Sequence, residues 1–122
     1  MLVAFDHVQL AMPPGEEAVA ETFYAGVLGL QRVPKPPALA VRGGCWFERG
    51  AVRVHLGVDD PFVPARKAHP AFLVEDADAL ATRLEASGVE VTWDGNFPGY
   101  RRFHTRDLHG NRVEILETAG AQ

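Results

Sequence analysis

The chain has 122 residues, of which 47% are hydrophobic and 23% charged, as expected of one globular domain that buries its own core. Twelve Lys and Arg residues against sixteen Asp and Glu residues give a net charge of −4, which argues against a nucleic-acid partner. Because no apolar run approaches the roughly 18 to 20 residues that span a bilayer, the sequence predicts a soluble, cytoplasmic protein. The single cysteine, Cys45, excludes an intramolecular disulfide and a Cys-rich zinc site.

The first half of the chain predicts one strand, one helix and three further strands. Alternating apolar residues indicate a strand over 2–10, and Glu16 and Glu17 then begin a helix that ends at Gly29. The prolines at 34, 36 and 37 indicate an irregular connection. The next strands are predicted over Ala38–Val41, Cys45–Glu48 and Ala51–Val58.

The second half predicts the same order of elements. A strand over His69–Val74 precedes a helix that Asp76 caps and that Ser87 and Gly88 end. The segment Asp107–Asn111 has the composition of a turn. The remaining strands are predicted over Val89–Trp93, Tyr100–Thr105 and Arg112–Glu117.

This recurrence predicts a tandem repeat within a single domain that covers residues 1–122. Module one spans 1–58, a linker spans 59–66 and module two spans 67–119. The fold class is therefore α+β, with each helix on one face of a mostly antiparallel sheet. The opposite face is left to curve around a cavity or to meet the equivalent module.

Four polar side chains interrupt apolar strands at equivalent points of the repeat. His7 and His69 lie in the first strand of their modules, and His55 and Glu114 lie in the last. The separation from 7 to 55 is nearly the same as that from 69 to 114. Because neighbours on a strand point to opposite faces, these four side chains can face one concavity while their apolar neighbours pack beneath the helices.

Three imidazoles and one carboxylate are ligands suited to Fe²⁺, Ni²⁺, Zn²⁺, Co²⁺ or Mn²⁺, whereas Ca²⁺ and Mg²⁺ require more oxygen ligands. A single histidine in a strand is usually solvated or hydrogen-bonded, so the prediction of a metal site depends on the symmetric placement of the set. We therefore predict one divalent metal ion of unspecified identity, held by His7, His55, His69 and Glu114.

Several motifs resemble those of one known family. They are His7-Val8-Gln9-Leu10, Val27-Leu28-Gly29-Leu30, Trp46-Phe47 with His55-Leu56, and Asp107-Leu108-His109-Gly110-Asn111-Arg112-Val113-Glu114, the last being the most specific. In these motifs the chain resembles the vicinal oxygen chelate superfamily. That superfamily includes glyoxalase I, bleomycin resistance proteins, fosfomycin resistance transferases, methylmalonyl-CoA epimerase and extradiol dioxygenases.

The resemblance implies paired βαβββ modules that form a half-barrel cup around one divalent metal, which binds two vicinal oxygens of a substrate. His7, His69 and Glu114 match the three recurrent metal positions of the family, and His55 matches a fourth that is usually Glu or Gln. A histidine there removes the carboxylate that would abstract a proton. The catalytic candidates are therefore His55 and a Glu114 side chain released from the metal.

Four further residues are candidate substrate contacts. Arg101 and Arg102 point to opposite faces of one strand, so only one can enter the cup, where a guanidinium binds carboxylate or phosphate. Periodicity alone does not choose between them, and Arg102 is the one that we predict. Trp46, Phe47 and Tyr100 are predicted to form an aromatic wall, although aromatic residues at such positions also form ordinary cores.

These observations leave two classes of function open. The first is a metal-dependent enzyme of lyase, isomerase or ring-cleaving dioxygenase type, in which His55 is either a ligand or a group that hydrogen-bonds the substrate. The second is a metal-free protein that sequesters a drug or another small ligand, as bleomycin resistance proteins do. Because half-barrels leave strand edges exposed, a homodimer is expected in either case.

Overall fold

The computed structural model describes residues 1–120 and contains two compact units, Met1–Pro64 and a second unit that begins at Ala65. The first unit contains β1 (Val8–Met12), α1 (Glu17–Glu21), a π-helical segment (Thr22–Val27), β2 (Gln31–Val33), α2 (Pro37–Ala40), β3 (Cys45–Arg49) and β4 (Val52–Val58). The second contains β5 (Ala71–Leu73), α3 (Ala77–Ala86), β6 (Thr92–Trp93), β7 (Tyr100–Arg106) and β8 (Arg112–Thr118).

The two units have the same sheet topology. The strand order is β1-β4-β3-β2 in the first and β5-β8-β7-β6 in the second, and in each the first strand runs parallel to the last while the other pairs are antiparallel. The predicted α+β repeat is therefore confirmed. The unit boundary falls inside the predicted linker 59–66, while the module limits themselves stay predictions.

Strand register also supports the equivalence of the candidate residues. His55 on β4 pairs with Gln9 on β1, and Glu114 on β8 pairs with Ala71 on β5. His7 and His69 each lie two residues before those partners. The register thus places His7 with His69, and His55 with Glu114, at matching points of the two sheets.

One predicted strand is wrong. Residues Pro37–Ala40 form the short helix α2, where the sequence predicts a strand over Ala38–Val41, and the second strand of the first unit is β2, Gln31–Val33. Proline at the first helical position has its φ preset for a helix and lacks an N–H that would in any case be unpaired, so the proline cluster starts a helix.

The predicted first strand is longer than the observed one. Pairing begins at Val8, and the segment before it presents three nearly fully exposed apolar side chains, Leu2, Val3 and Phe5. In the second unit His69 precedes β5 instead of opening it. Both predicted metal-ligand histidines therefore lie just before a strand.

Most other local predictions agree with the structure, although the strand predicted over Val89–Trp93 is reduced to Thr92–Trp93. The helix predicted from Glu16 is α1 followed by the π-helical segment, and Gly29 lies just beyond it with a positive φ of 79°. Asp76 caps α3 by accepting a hydrogen bond from the backbone N–H of Ala79 at 3.0 Å. The Asp107 carboxylate accepts the backbone N–H of Asn111 at 2.9 Å and closes the predicted turn.

Each unit buries its own apolar cluster between helix and sheet. Phe23, Tyr24 and Phe47 have no exposed surface in the first unit, and Leu84 and Phe103 have none in the second. Phe47 and Phe103 lie on strands, and Phe23, Tyr24 and Leu84 lie on the helical segments of the same units. Among the described residues, no helix has the length and apolar character that crossing a membrane requires.

Candidate metal centre

Three potential metal ligands meet in the second unit. His69, His104 and Glu114 each offer a ligand atom, and these atoms lie within 4.8 Å of one another. Glu114 on β8 is the direct cross-strand partner of His104 on β7, and His69 reaches the same place from the segment before β5. The Glu114 side chain is 8% exposed and that of His104 is 15% exposed, so the cluster is largely removed from water.

The orientation of His69 is defined at both ring nitrogens. Its Nδ1 lies 2.7 Å from the carbonyl oxygen of Lys67, which can only accept, so Nδ1 carries a proton. Its Nε2 lies 2.7 Å from Oε1 of Glu114. Nε2 and the carboxylate therefore form a hydrogen bond, and the same two atoms are placed to hold a cation between them.

Glu114 is ionised in this environment. Burial raises the pKa of its carboxyl, but hydrogen bonds from His69 and Arg102 outweigh burial, and the pKa is below its ordinary value. Oε1 faces His69, and Oε2 accepts a hydrogen bond from Nη1 of Arg102 at 3.0 Å. The two oxygens thus have separate partners.

His104 is a neutral imidazole beside this pair. Burial and the positive charge of Arg112 lower its pKa. Its Nε2 lies 3.7 Å from Oε1 of Glu114, and its ring packs edge-on against His69 with centroids 5.6 Å apart. A neutral imidazole has a free lone pair, which is what a metal ion or an acidic proton requires.

The donor set fits a divalent transition metal or zinc. Two imidazoles and one carboxylate are the ligands found around Fe²⁺, Zn²⁺, Mn²⁺, Co²⁺ and Ni²⁺. His69 also has the second hydrogen bond, from Nδ1 to a backbone carbonyl, that is typical of metal-binding histidines. His69 and Glu114, both predicted from the sequence, are brought together here.

His104 was not among the residues predicted from the sequence. It lies two positions after Arg102 and therefore on the same face of β7. The repeat is the feature that could have identified His104. Its cross-strand partner is Glu114, just as Trp46 is the cross-strand partner of His55 in the first unit. That match becomes visible only when the strand register is known.

Arg102 is the arginine that shares the face of Glu114, and Arg101 is not. Arg101 points to the other side of β7, where its Nη2 donates to Asp78 at 2.7 Å. The Nη2 of Arg102 donates to Asp94 at 3.0 Å in addition to the bond that Nη1 gives to Glu114. Tyr100 is half-buried on the same strand, and its ring centroid lies 4.5 Å from that of Phe97.

In the first unit, His7 and His55 form part of a stack of three rings. The ring centroids of His7 and His55 are 3.9 Å apart, and those of His55 and Trp46 are 4.0 Å apart with nearly parallel planes. His55 is 6% exposed, and burial together with the nearby His7 lowers its pKa. The Nδ1 atom of His7 lies 2.9 Å from Oδ2 of Asp6, the arrangement of a histidine oriented by a carboxylate.

The stacking of His7 on His55 affects whether both rings can bind the same metal ion. An imidazole binds metal through a lone pair in the ring plane, and two rings stacked face to face at 3.9 Å direct their lone pairs into separate parallel planes. In this arrangement His7 and His55 are stacking partners, so the role of His55 as a ligand stays a prediction. Phe47 is fully buried against Tyr24, with centroids 5.6 Å apart, and its predicted contact with substrate is not favoured.

Comparison with known proteins assigns the family. Residues 4–115 match the sequence profile of the Glyoxalase/Bleomycin resistance protein/Dioxygenase superfamily. A glyoxalase family protein from Bacillus anthracis is 42% identical, with 97% of each chain covered and a TM-score of 0.92. No curated protein matches the chain.

Two more distant structures share the fold. Lactoylglutathione lyase from Agrobacterium tumefaciens is 25% identical, with 90% of this chain and 91% of that chain covered and a TM-score of 0.66. TnmS3, an antibiotic binding protein from Streptomyces sp. CB03234, is 23% identical, with 97% and 100% covered and a TM-score of 0.72. The profile match and the Bacillus relative together show that this chain belongs to the Glyoxalase/Bleomycin resistance protein/Dioxygenase superfamily, whose fold it has.

Proposed function

We propose that the protein is a divalent-metal-dependent enzyme that binds a small molecule through two of its oxygen atoms. The observation that carries this proposal is the pair formed by His69 and Glu114. His69 keeps its Nδ1 proton on a backbone carbonyl and presents Nε2 to a buried carboxylate oxygen. A metal ion that replaces the shared proton would have two ligands already oriented.

The metal ligands that we propose are His69 and Glu114, with His104 as the third. His104 is included because its neutral ring lies beside the pair, within the second unit. His7 stays a predicted ligand, since its Nδ1 is also engaged by an acceptor of the chain. Loss of metal on His104→Ala or on His7→Ala distinguishes the two candidates for the third position.

Proton transfer of the lyase or isomerase type is the chemistry that we favour. The bound ion would supply Lewis acidity, which stabilises negative charge on a substrate oxygen. Glu114 and His55 are the bases predicted from the sequence, and the neutral ring of His104 is a third group able to accept a proton. The relation to a lactoylglutathione lyase, at 25% identity, supports this class.

A ring-cleaving dioxygenase is the variant that shares the donor set. Two histidines and one carboxylate also bind Fe²⁺ with open positions for oxygen and a catecholate. The two reactions separate experimentally. Metal-dependent incorporation of deuterium from D₂O into an α-hydroxycarbonyl compound supports proton transfer, whereas oxygen uptake with catechols by the iron-loaded protein supports ring cleavage.

Metal-free sequestration of a ligand is the competing function. It is supported by the similarity to the antibiotic binding protein TnmS3 and by the flat stack of Trp46, His55 and His7 in the first unit. Trp46 is the aromatic residue that we retain as a predicted ligand contact, because it is only partly buried. An antibiotic that raises the melting temperature equally with and without chelator would favour this function over the enzyme.

A homodimer is proposed on the exposed apolar start of the chain. Leu2, Val3 and Phe5 are each at least 98% exposed, and they precede β1, which is an edge strand of its sheet. Exposed apolar side chains next to an open edge are typical of a surface that a second copy covers. Sedimentation should give a dimer at micromolar concentration, and Phe5→Ser should weaken it.

We also propose a cytoplasmic location, in which the single Cys45 remains reduced.

A further inference from the structure

We propose that Arg102 is a positioning residue that restricts Glu114 to binding the metal through one oxygen, Oε1. This inference rests on the proposed metal site. A carboxylate that binds an ion through both oxygens occupies two coordination positions, and one that binds through a single oxygen occupies one. Arg102 would therefore keep open the positions that a substrate with two oxygen donors requires.

The geometry separates the two oxygens of Glu114. Oε1 lies 2.7 Å from Nε2 of His69 and 3.7 Å from Nε2 of His104, so it faces both imidazoles. Oε2 accepts the hydrogen bond from Nη1 of Arg102 at 3.0 Å. Rotation of the carboxylate toward bidentate binding would break a charge-assisted hydrogen bond in a largely buried place.

Arg102 is itself fixed in this orientation. Its Nη2 donates to Oδ2 of Asp94 at 3.0 Å, and its guanidinium carbon lies 5.4 Å from the ring centroid of Phe97. Oδ1 of Asp94 in turn accepts the backbone N–H of Asn96. The arginine side chain is only 17% exposed, and the carboxylates of Asp94 and Glu114 contact its guanidinium group at two different nitrogens.

The orientation of Arg102 leaves one of its donors without a partner among the described residues. The Nε atom of Arg102 is buried and has no hydrogen-bond partner in residues 1–120. Buried donors are normally paired, and the exceptions concentrate where another requirement fixes the group. The requirement that fits here is the placement of Nη1 and Nη2 on two carboxylates.

This arrangement changes the predicted role of Arg102 toward substrate. Both outer nitrogens of Arg102 already donate to acids of the chain, Asp94 and Glu114, so a substrate carboxylate would compete with these two acids for them. The substrate class that fits is therefore one recognised through oxygens on the metal, without an anionic group paired to Arg102.

The test uses the full-length protein loaded with Co²⁺, whose visible absorption weakens as its coordination number rises. Arg102→Met is compared with wild type and with Arg101→Met, which removes a neighbouring arginine that faces Asp78 instead. Acetohydroxamate, which offers two vicinal oxygens, probes the open positions. We expect Arg102→Met to retain Co²⁺, to lose visible absorption intensity and to bind acetohydroxamate more weakly, while Arg101→Met matches wild type.

The outcomes separate this inference from the metal site on which it rests. Failure of the wild type to bind Co²⁺ removes both proposals. Wild-type Co²⁺ binding with an unchanged spectrum and unchanged acetohydroxamate affinity in Arg102→Met overturns only the role of Arg102. If Arg102→Met does not fold, Arg102→Leu serves, because it also removes the donor to Oε2 of Glu114; an unchanged spectrum there overturns the role equally.

Discussion

His7 and His69 are oriented in the same way, each with Nδ1 engaged by an oxygen acceptor of the chain. For His7 the acceptor is Oδ2 of Asp6 at 2.9 Å, and for His69 it is the carbonyl oxygen of Lys67 at 2.7 Å. The two histidines lie at matching points, each just before the first strand of its unit. An engaged Nδ1 leaves Nε2 as the nitrogen that can bind a metal ion. A hydrogen bond at the other ring nitrogen is typical of metal-binding histidines.

Metal binding should release a proton. In the metal-free protein a hydrogen bond of 2.7 Å joins Nε2 of His69 to Oε1 of Glu114, and an ion bound to both atoms displaces the proton of that bond. We expect a fall in the pH of a weakly buffered solution when Zn²⁺ is added, and weaker Zn²⁺ binding as the pH is lowered. An indicator dye in a stopped-flow titration measures the release; binding that is independent of pH between about 5.5 and 8 would contradict this account.

Stability in acid should depend on Glu114. Its folded pKa lies below the ordinary value of 4.5, so its contribution is complete above that value and is lost as the pH falls through the folded pKa. Urea unfolding of the metal-free protein between pH 6 and pH 3 should show a shallower loss in Glu114→Gln than in wild type. Glu85→Gln, which changes an exposed carboxylate on α3, is the matched control and should follow wild type.

His55 should be replaceable by a flat apolar ring. His55→Phe keeps an aromatic ring between His7 and Trp46, whereas His55→Ala leaves a gap between these two rings. We expect unchanged metal content in His55→Phe, and a loss of about 1 to 2 kcal/mol in the free energy of unfolding only in His55→Ala. Loss of metal from His55→Phe would instead make His55 the ligand that the sequence predicts.

Cys45 should be inert in the folded protein. Burial raises the pKa of its thiol to about 11, and the side chain is 1% exposed. Because the thiolate is the reactive form, a thiol-reactive dye should label native protein very slowly and urea-unfolded protein at once. Rapid labelling of the native protein at neutral pH would show that β3 opens.

The repeat, and with it two of the three proposed metal ligands, could be predicted because both follow from local alternation. His69 and Glu114 interrupt apolar strands, and the matching separation of His7 from His55 marks them without any knowledge of pairing. His104 could not be found in this way, since its proximity to Glu114 depends on the register between β7 and β8. Long-range register is not a property of either strand alone.

The misplaced strand has a different physical reason. The prolines before Ala38 indicate a break when only the sequence is considered, whereas Pro37 provides the first helical residue of α2. The strand β2 has only three residues, two of them charged or amide-bearing and exposed, so it carries little alternation. It forms because β3 offers an edge to pair with, which is a tertiary effect that overrides local propensity.

The most direct test of the metal site is elemental analysis of the freshly purified, untagged protein. Wild type is compared with His69→Ala, Glu114→Gln and the exposed-carboxylate control Glu85→Gln, before and after loading with Fe²⁺, Zn²⁺, Mn²⁺, Co²⁺ or Ni²⁺. We expect near-stoichiometric divalent metal in wild type and in Glu85→Gln, and its loss in His69→Ala and Glu114→Gln. No metal in wild type after loading, or equal metal in all four proteins, would contradict the account.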